Sequence, residues 1–170
     1  MGVCKGFLVS ECRDIQRQIY AENAPSFCIQ ANKNSLPKKE SWICEARNQI
    51  SSNPSLQAEI RIRHENAALV REQFNPLLSY VEAMAVSVEC NITDSQSTYY
   101  AISQIHEAMN EIAFRAGVGS AQGIDPEENV RAYVRKGKEI ASKDFCLAIS
   151  PIDRSKLRSL VQEVIRTYPR

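Results

Sequence analysis

The sequence predicts an all-α protein, a bundle of five to seven helices supported by disulfides. Three observations carry this reading. Apolar residues recur at helical spacing through most of the chain, and strand-like alternation is nearly absent. Helix-starting pairs, a capping residue followed by proline, stand at Asn53-Pro54, Asp125-Pro126 and Ser150-Pro151. Six cysteines stand against only two histidines, an even set that suits pairing better than metal binding.

The elements follow in order. Cys4, Leu8, Cys12, Ile15 and Ile19 form one stripe at helical spacing, and Pro25 ends it. Residues 29–37 read as a loop. A short helix then places Ile43, Ala46 and Ile50 on one face, with Trp42 beside them. Asn53 caps a long helix with Pro54 at its first position, where the missing N–H has no intrahelical partner. That helix carries Leu56, Ile60, Ala67, Val70 and Phe74, then Leu77, Leu78, Val81, Met84, Ala85 and Val88. Pro76 interrupts it and predicts a kink, or two helices meeting near Asn75.

Residues 91–95 form a break, and Asp94 or Ser95 caps the next helix. Its inward positions are Tyr99, Ile102, Ile105, Met109, Ile112 and Ala116, and Gly117, Gly119 and Gly123 mark its stop. Asp125-Pro126-Glu127-Glu128 combines an N-cap, a proline at N1 and two acids that complement the helix dipole. The helix it opens buries Val130, Val134, Gly137, Ile140 or Ala141, and Phe145. Gly137 lies on the apolar stripe, where glycine costs about 1 kcal/mol against alanine. Close approach of a neighbouring helix would offset that cost; plain tolerance is the other reading. A last helix follows Ser150-Pro151, with Leu157, Leu160, Val161, Val164 and Tyr168 inward. The length suits one domain, 1–170, with residues 1–52 forming a helical hairpin packed on a 53–170 bundle.

Composition narrows the function. Apolar residues make 44% and charged residues 24%, which excludes disorder, and a net charge of +1 argues against a strongly basic nucleic-acid binder. The most apolar stretch, Leu77–Cys90, has 14 residues and contains Glu82, too short for a membrane span of about 20. Met1-Gly2-Val3-Cys4 leads into charged, helix-like sequence, so an exported form would have lost its signal; Gly6 also stands where myristoylation prefers Ser or Thr.

The cysteines Cys4, Cys12, Cys28, Cys44, Cys90 and Cys146 contain no CxxC pair. Disulfides in an oxidising compartment are the first reading, and six reduced core thiols the second. Cys4 and Cys12, on one helix, stand about 12 Å apart, beyond the roughly 7 Å limit for a bridge unless Gly6 breaks the helix. Cys90–Cys146 is the first expected pair, closing 56 residues for about 4 kcal/mol. Cys28–Cys44 across the loop is the second, against a nested alternative of Cys4–Cys44 with Cys12–Cys28.

Catalytic and cofactor motifs fail one by one. His64-Glu65 and His106-Glu107 are sequence neighbours, which on a helix point about 100° apart. Neither lies in HExxH, and Arg61 and Ser103 stand where a Glu-x-x-His motif needs glutamate. Arg63 and His64 fill a slot on the Ile60–Ala67 stripe, as a functional polar group or as residues at a helix edge. Gly117-Val-Gly119-Ser-Ala-Gln-Gly123 has GxGxxxG spacing after a helix, so a helix stop is preferred to a dinucleotide loop. A Cys/His nucleophilic pair stays open. The expectation is no catalytic residue, no cofactor and no metal.

Charge is segregated along the chain. Residues 55–125 carry 4 basic and 9 acidic groups, and residues 126–170 carry 10 and 6. Glu59, Glu72, Glu82, Glu89, Glu107 and Glu111 suggest an acidic face. Arg131, Arg135, Lys136, Lys138, Lys143, Arg154, Lys156 and Arg158 suggest a basic one. Ordinary solvated faces are one reading; a surface that steers a partner is the other. Asn91-Ile92-Thr93 is a glycosylation sequon, relevant only in a eukaryotic secreted protein.

Ser26-Phe27-Cys28, Glu40-Ser41-Trp42-Ile43-Cys44 and Asn53-Pro54-Ser55-Leu56 together resemble the opening of the lysozyme-inhibitor-like family of small bacterial envelope proteins. The stretch from Cys44 to Asn53 is longer than in that family, and its Leu-Asp pair after the helix start is absent. The Cys90…Asp144-Phe145-Cys146 arrangement is similar to disulfide-bridged helical periplasmic proteins. The resemblance implies an exported binding or inhibitor protein, and no site residue carries over. The functional expectation is a non-enzymatic periplasmic or secreted protein, an inhibitor or immunity protein. Its partner would be another protein, such as a secreted or envelope enzyme, with no nucleic acid and no membrane span. A small-molecule or lipid carrier with a cavity inside the bundle is the alternative.

Overall fold

The computed structural model describes residues 7–30 and 36–168. Eight α-helices occupy them, with no strand among the described residues. They are α1 (Val9–Ile19), α2 (Ser26–Gln30), α3 (Lys38–Ser51), α4 (Pro54–Glu89), α5 (Ser95–Arg115), α6 (Pro126–Ile140), α7 (Lys143–Ala148) and α8 (Pro151–Thr167). A single 3-10 turn, Ser120–Gln122, joins α5 to α6. The class is all-α as the periodicity predicts; the short α2 and α7 are the helices the pattern does not resolve.

Side-chain caps set most starts. Asn53 accepts from Leu56 N–H at 3.1 Å, Asp94 from Ser97 N–H at 2.7 Å and Asp125 from Glu128 N–H at 3.1 Å. Ser150 accepts from Asp153 N–H at 3.1 Å and donates its hydroxyl back to the Asp153 carboxylate at 2.7 Å. Each cap satisfies a backbone donor that the first turn leaves without a partner. Asp94, not Ser95, caps α5. α4 continues through Pro76 as one helix instead of dividing near Asn75. Phe74, Leu77, Leu78 and Val81, all buried, hold the register on both sides of the proline.

The chain divides into two compact units. The first is Met1–Leu69 with Ala113–Ile124, and the second is Val70–Ile112 with Asp125–Arg170. Two of the three boundaries fall inside α4 and α5, and the third lies just before α6.

In the first unit Ile15, Ile19 and Ile43 are buried, with Tyr20, Phe27, Trp42, Ala46 and Ile50 packed around them. The Phe7 ring stacks on Trp42 at 6.5 Å. Cys28 and Cys44 are bridged, joining α2 to α3 with Cα atoms 5.4 Å apart. This is the local pairing, so the nested alternative does not form. Cys12 is also disulfide-bonded. Cys4, and with it the expected relation of Cys4 to Cys12, lies outside the described residues. Leu8, expected on the inward stripe, is 71% exposed. It sits at the N-cap of α1 with an extended backbone, so it does not follow the 100° helical wheel.

The second unit buries Val81, Met84, Ala85, Ile102, Ile105, Met109, Val130, Val161 and Val164. Gly137 is where α6 meets α4: a Cβ there would lie 2.6 Å from the Glu82 carbonyl oxygen and 2.7 Å from the Ala85 Cβ. The mid-helix glycine is therefore a close-approach position. Val86, Cys90 and Ile92 form a second cluster, with Ile140, Ala141, Cys146, Ile149 and Leu157 packed on it. The Cys90–Cys146 disulfide, Cα atoms 5.2 Å apart, lies in this cluster and ties the end of α4 to α7. Two arginines fix α8: Arg158 donates to the Ile92 carbonyl at 3.2 Å, and Arg154 to the Cys146 carbonyl at 2.5 Å.

One helix expected to run from Asp125 to Phe145 is two. Ala141 leaves helical geometry with ψ 57°, and Ser142 restarts the chain by accepting from Phe145 N–H at 3.2 Å. The break turns Phe145 outward, to 42% exposure, so it does not join the buried stripe.

Candidate functional site

His64, His106 and Arg47 each make hydrogen bonds within the fold. His64 Nε2 lies 2.6 Å from the Tyr20 carbonyl oxygen. A carbonyl only accepts, so this nitrogen carries the proton. Arg47 donates to the Ile19 carbonyl at 3.0 Å and to the Ala21 carbonyl. Together they satisfy carbonyls at the C-terminal end of α1, where a helix leaves acceptors without partners and favours positive charge. Burial pushes the Arg47 guanidinium below its ordinary value. Arg63, next to His64, turns to the surface and pairs with Glu59 at 2.6 Å. Arg47 and His64 border an open cleft of about 840 Å³ in the first unit, which also has Glu22, Arg61 and Glu65 in its wall. Charges of both signs line it, and one terminal nitrogen of the Arg47 guanidinium has backbone acceptors while its buried Nε has no partner.

His106 pairs with Asn110 one turn on, at 3.3 Å. Among the described residues no three His, Cys, Asp or Glu side chains gather to hold a metal ion. No described cysteine is free, so none offers a thiolate for a Cys/His pair. The glycine segment is a helix stop. Gly117 adopts φ 65°, and the Gln122 side chain accepts from Gly119 N–H at 3.1 Å. That loop spends a backbone donor on its own glutamine, where a phosphate cradle would present it to a ligand.

The segregated charges meet one another inside the second unit. Lys136 pairs with Glu82 at 2.6 Å, and Lys138 with Glu89 at 3.6 Å. These bridges sit on either side of Gly137, where α6 approaches α4. The hydrogen bond to Glu82 raises the Lys136 ammonium above its ordinary value. The Tyr99 hydroxyl, then the Glu89 charge, raise Lys138. Arg131 pairs with Glu127 and Lys156 with Asp153 along their own helices. Much of the expected basic face is thus neutralised within the fold.

What stays open is an apolar groove. It has a volume of about 830 Å³ and lies among α4, α6, α7 and α8 of the second unit. Ala83 and Val86 of α4, Ile140 of α6, Phe145 and Ile149 around α7, and Leu157 of α8 line it. The Lys136–Glu82 and Lys156–Asp153 pairs border it. A second groove of about 620 Å³ shares Lys156 and Leu157 with it and includes Tyr80 and Ile152. At the elbow between α7 and α8, Leu147 is 73% and Ile152 69% exposed.

No histidine or cysteine motif leads to this groove. A sequence signal for it does exist. Two capping serines, Ser142 and Ser150, enclose Lys-Asp-Phe-Cys-Leu-Ala-Ile. A helix of six residues has one narrow inward stripe, too narrow to cover four apolar residues and a cysteine.

No helix among the described residues is long and apolar enough to cross a membrane. Comparison with protein-family models, curated proteins and solved structures finds no match for this chain.

Proposed function

We propose that this is a non-enzymatic exported binding protein that binds and blocks another protein, as an inhibitor or an immunity protein does. One observation carries the reading: two bare apolar side chains flanking the α7–α8 elbow, Leu147 and Ile152, in the unit that also holds an open apolar groove with charged borders. An apolar centre with a polar rim is the usual anatomy of a protein interface. Exposed apolar clusters of this kind mark interaction sites. The disulfides support an oxidising compartment, because thiols stay reduced in most cytosols. The Cys28–Cys44 bridge joins two of the residues on which the resemblance to envelope inhibitors rests.

The test is affinity capture from the envelope or secreted fraction of the native source, with the wild-type chain and a Leu147→Ser/Ile152→Ser variant. A single protein retained by the first and lost by the second is the expected result. Absence of any retained protein overturns the reading. A lipid or small molecule found by native mass spectrometry, with no protein partner, replaces it with the carrier. Alkylation of the native protein before and after reduction checks the compartment, since free thiols before reduction contradict export.

A further inference from the structure

We infer that Asn91 carries an N-linked glycan, attached in the compartment where the disulfides form; this rests on the export proposed above, not on the identity of the partner.

The acceptor is the run Glu89-Cys90-Asn91-Ile92-Thr93. An asparagine with a hydroxyl residue two positions on, and no proline between, is the N-glycosylation acceptor. Transferases of bacterial envelopes make the same bond and ask in addition for an acid two residues before the asparagine, which Glu89 supplies. The five-residue run therefore lifts the restriction to a eukaryotic source that the tripeptide alone imposes. With either source, Asn91 Nδ2 bonds to the anomeric carbon of a glycan held on a polyprenyl pyrophosphate. The bond from that carbon to the pyrophosphate oxygen breaks. The polyprenyl pyrophosphate leaves with the electron pair, and the amide proton passes to a base of the transferase.

The fold keeps this one residue available. Asn91 sits in the turn between α4 and α5, exposed, with φ 52°. Its N–H donates to the Val88 carbonyl at 3.0 Å, and the Ile92 N–H to the Ser87 carbonyl at 2.8 Å. The backbone is thus held, while the Asn91 carboxamide makes no hydrogen bond among the described residues. A turn with positive φ is met by glycine at less cost, so the turn alone does not ask for a carboxamide. Asn91 also borders an open cleft of about 400 Å³ beside Lys143 and Leu147, where a first sugar meets space and not packed atoms.

The neighbours of Asn91 turn inward. Ile92 is buried, and Thr93 Oγ1 lies 2.7 Å from Ser87 Oγ and 2.9 Å from Thr98 Oγ1. A transferase reads the Thr93 hydroxyl, so the glycan goes on before this junction closes, and only Asn91 must stay outside afterwards. Cys90, the residue before it, is bridged to Cys146, a bond that persists in oxidising compartments.

The experiment is tandem mass spectrometry of the proteolytic peptide that contains Asn91, from the full chain purified from its native source. Asn91→Gly and Thr93→Ser, produced in the same source, stand beside it. Glycine keeps the left-handed turn and removes the acceptor; serine keeps the hydroxyl. The expected result is a sugar localised to Asn91, retained in Thr93→Ser and lost completely in Asn91→Gly, whose cysteines stay oxidised. A core of paired N-acetylglucosamine with mannose marks a eukaryotic donor, and any other linking sugar a bacterial one. A bare Asn91, or a sugar that remains in Asn91→Gly, overturns the inference. If Asn91 is bare while the native cysteines are oxidised, only the glycan falls and export stands. Free thiols in the native protein remove export and the glycan together.

Discussion

The two units of this chain are both helical, yet they are secured differently. The first has a small core around Ile15, Ile19 and Ile43, with a disulfide closing only 16 residues. Its polar groups, Arg47 and His64, close the end of α1. The second buries more side chains and has a disulfide closing 56 residues and a helix approach that only glycine permits. Small clusters need covalent closure because they remove little apolar surface from water. Larger ones gain more from matched helix surfaces, and there a single Cβ is felt. The difference teaches where each unit is vulnerable, and Trp42, the single tryptophan, lies in the first unit and reports on it alone.

The largest expected effect is removal of Cys90–Cys146. Replacing both cysteines by alanine should cost about 4 kcal/mol, and the same change at Cys28–Cys44 about 3 kcal/mol, from the loop lengths they close. Denaturant unfolding followed by far-UV circular dichroism measures the first. Trp42 fluorescence follows the second. The reverse order of losses would show that loop length is not what distinguishes the two bridges.

Gly137→Ala comes next. Elsewhere in a helix this change stabilises by about 1 kcal/mol. At Gly137 the new Cβ meets the Glu82 carbonyl and the Ala85 Cβ, so a loss of about 1–3 kcal/mol is expected. A thermal midpoint equal to or above wild type would mean that α6 shifts away at no cost.

The smallest effects are those of pH, and they fall on the second unit. Lys136 and Lys138 titrate above the ordinary lysine value of 10.5 in the folded state. Their contribution is whole below that value and is lost as pH rises through the folded values. The Ser97 backbone N–H holds Asp94 below 3.8, and the Ser150 hydroxyl, followed by Lys156, holds Asp153 below 3.8. Their contribution is present above 3.8 and is lost as pH falls through the folded values. All four groups are exposed, so the changes are modest. Hydrogen exchange should show α6 and α8 loosening at the two extremes before α3 does, and Glu82→Gln should blunt the alkaline change. Simultaneous loosening of α3 would erase the contrast between the units.

Much of the fold was legible because its signals are local. Asn53, Asp125 and Ser150 cap helices through atoms three residues away, which a sequence displays directly. The cysteines near helix ends and beside the loop pointed to Cys90–Cys146 and Cys28–Cys44, and both bridges form. Ser142 was missed because its cap competes with a continuous apolar pattern from Val130 to Phe145, and periodicity alone joins what the backbone at Ala141 breaks. Leu8 was misplaced because a residue at an N-cap leaves the helical wheel. The groove was less legible still. Ala83, Tyr133 and Leu157 belong to three helices and line one groove where α6 lies against α4 at Gly137.

The sequence by itself determined the helical class, the caps that start α4, α6 and α8, and most of the inward stripe of the longer helices. Periodicity and capping act within a few residues, so they need no tertiary information. Only the tertiary structure decided that His64 and Arg47 serve the end of α1, and that the acidic and basic stretches pair with each other across α4 and α6. It alone decided that the apolar residues around Ser142 and Ser150 are left beside an open groove. Those outcomes depend on which helix faces meet, a property of packing between segments far apart in the chain.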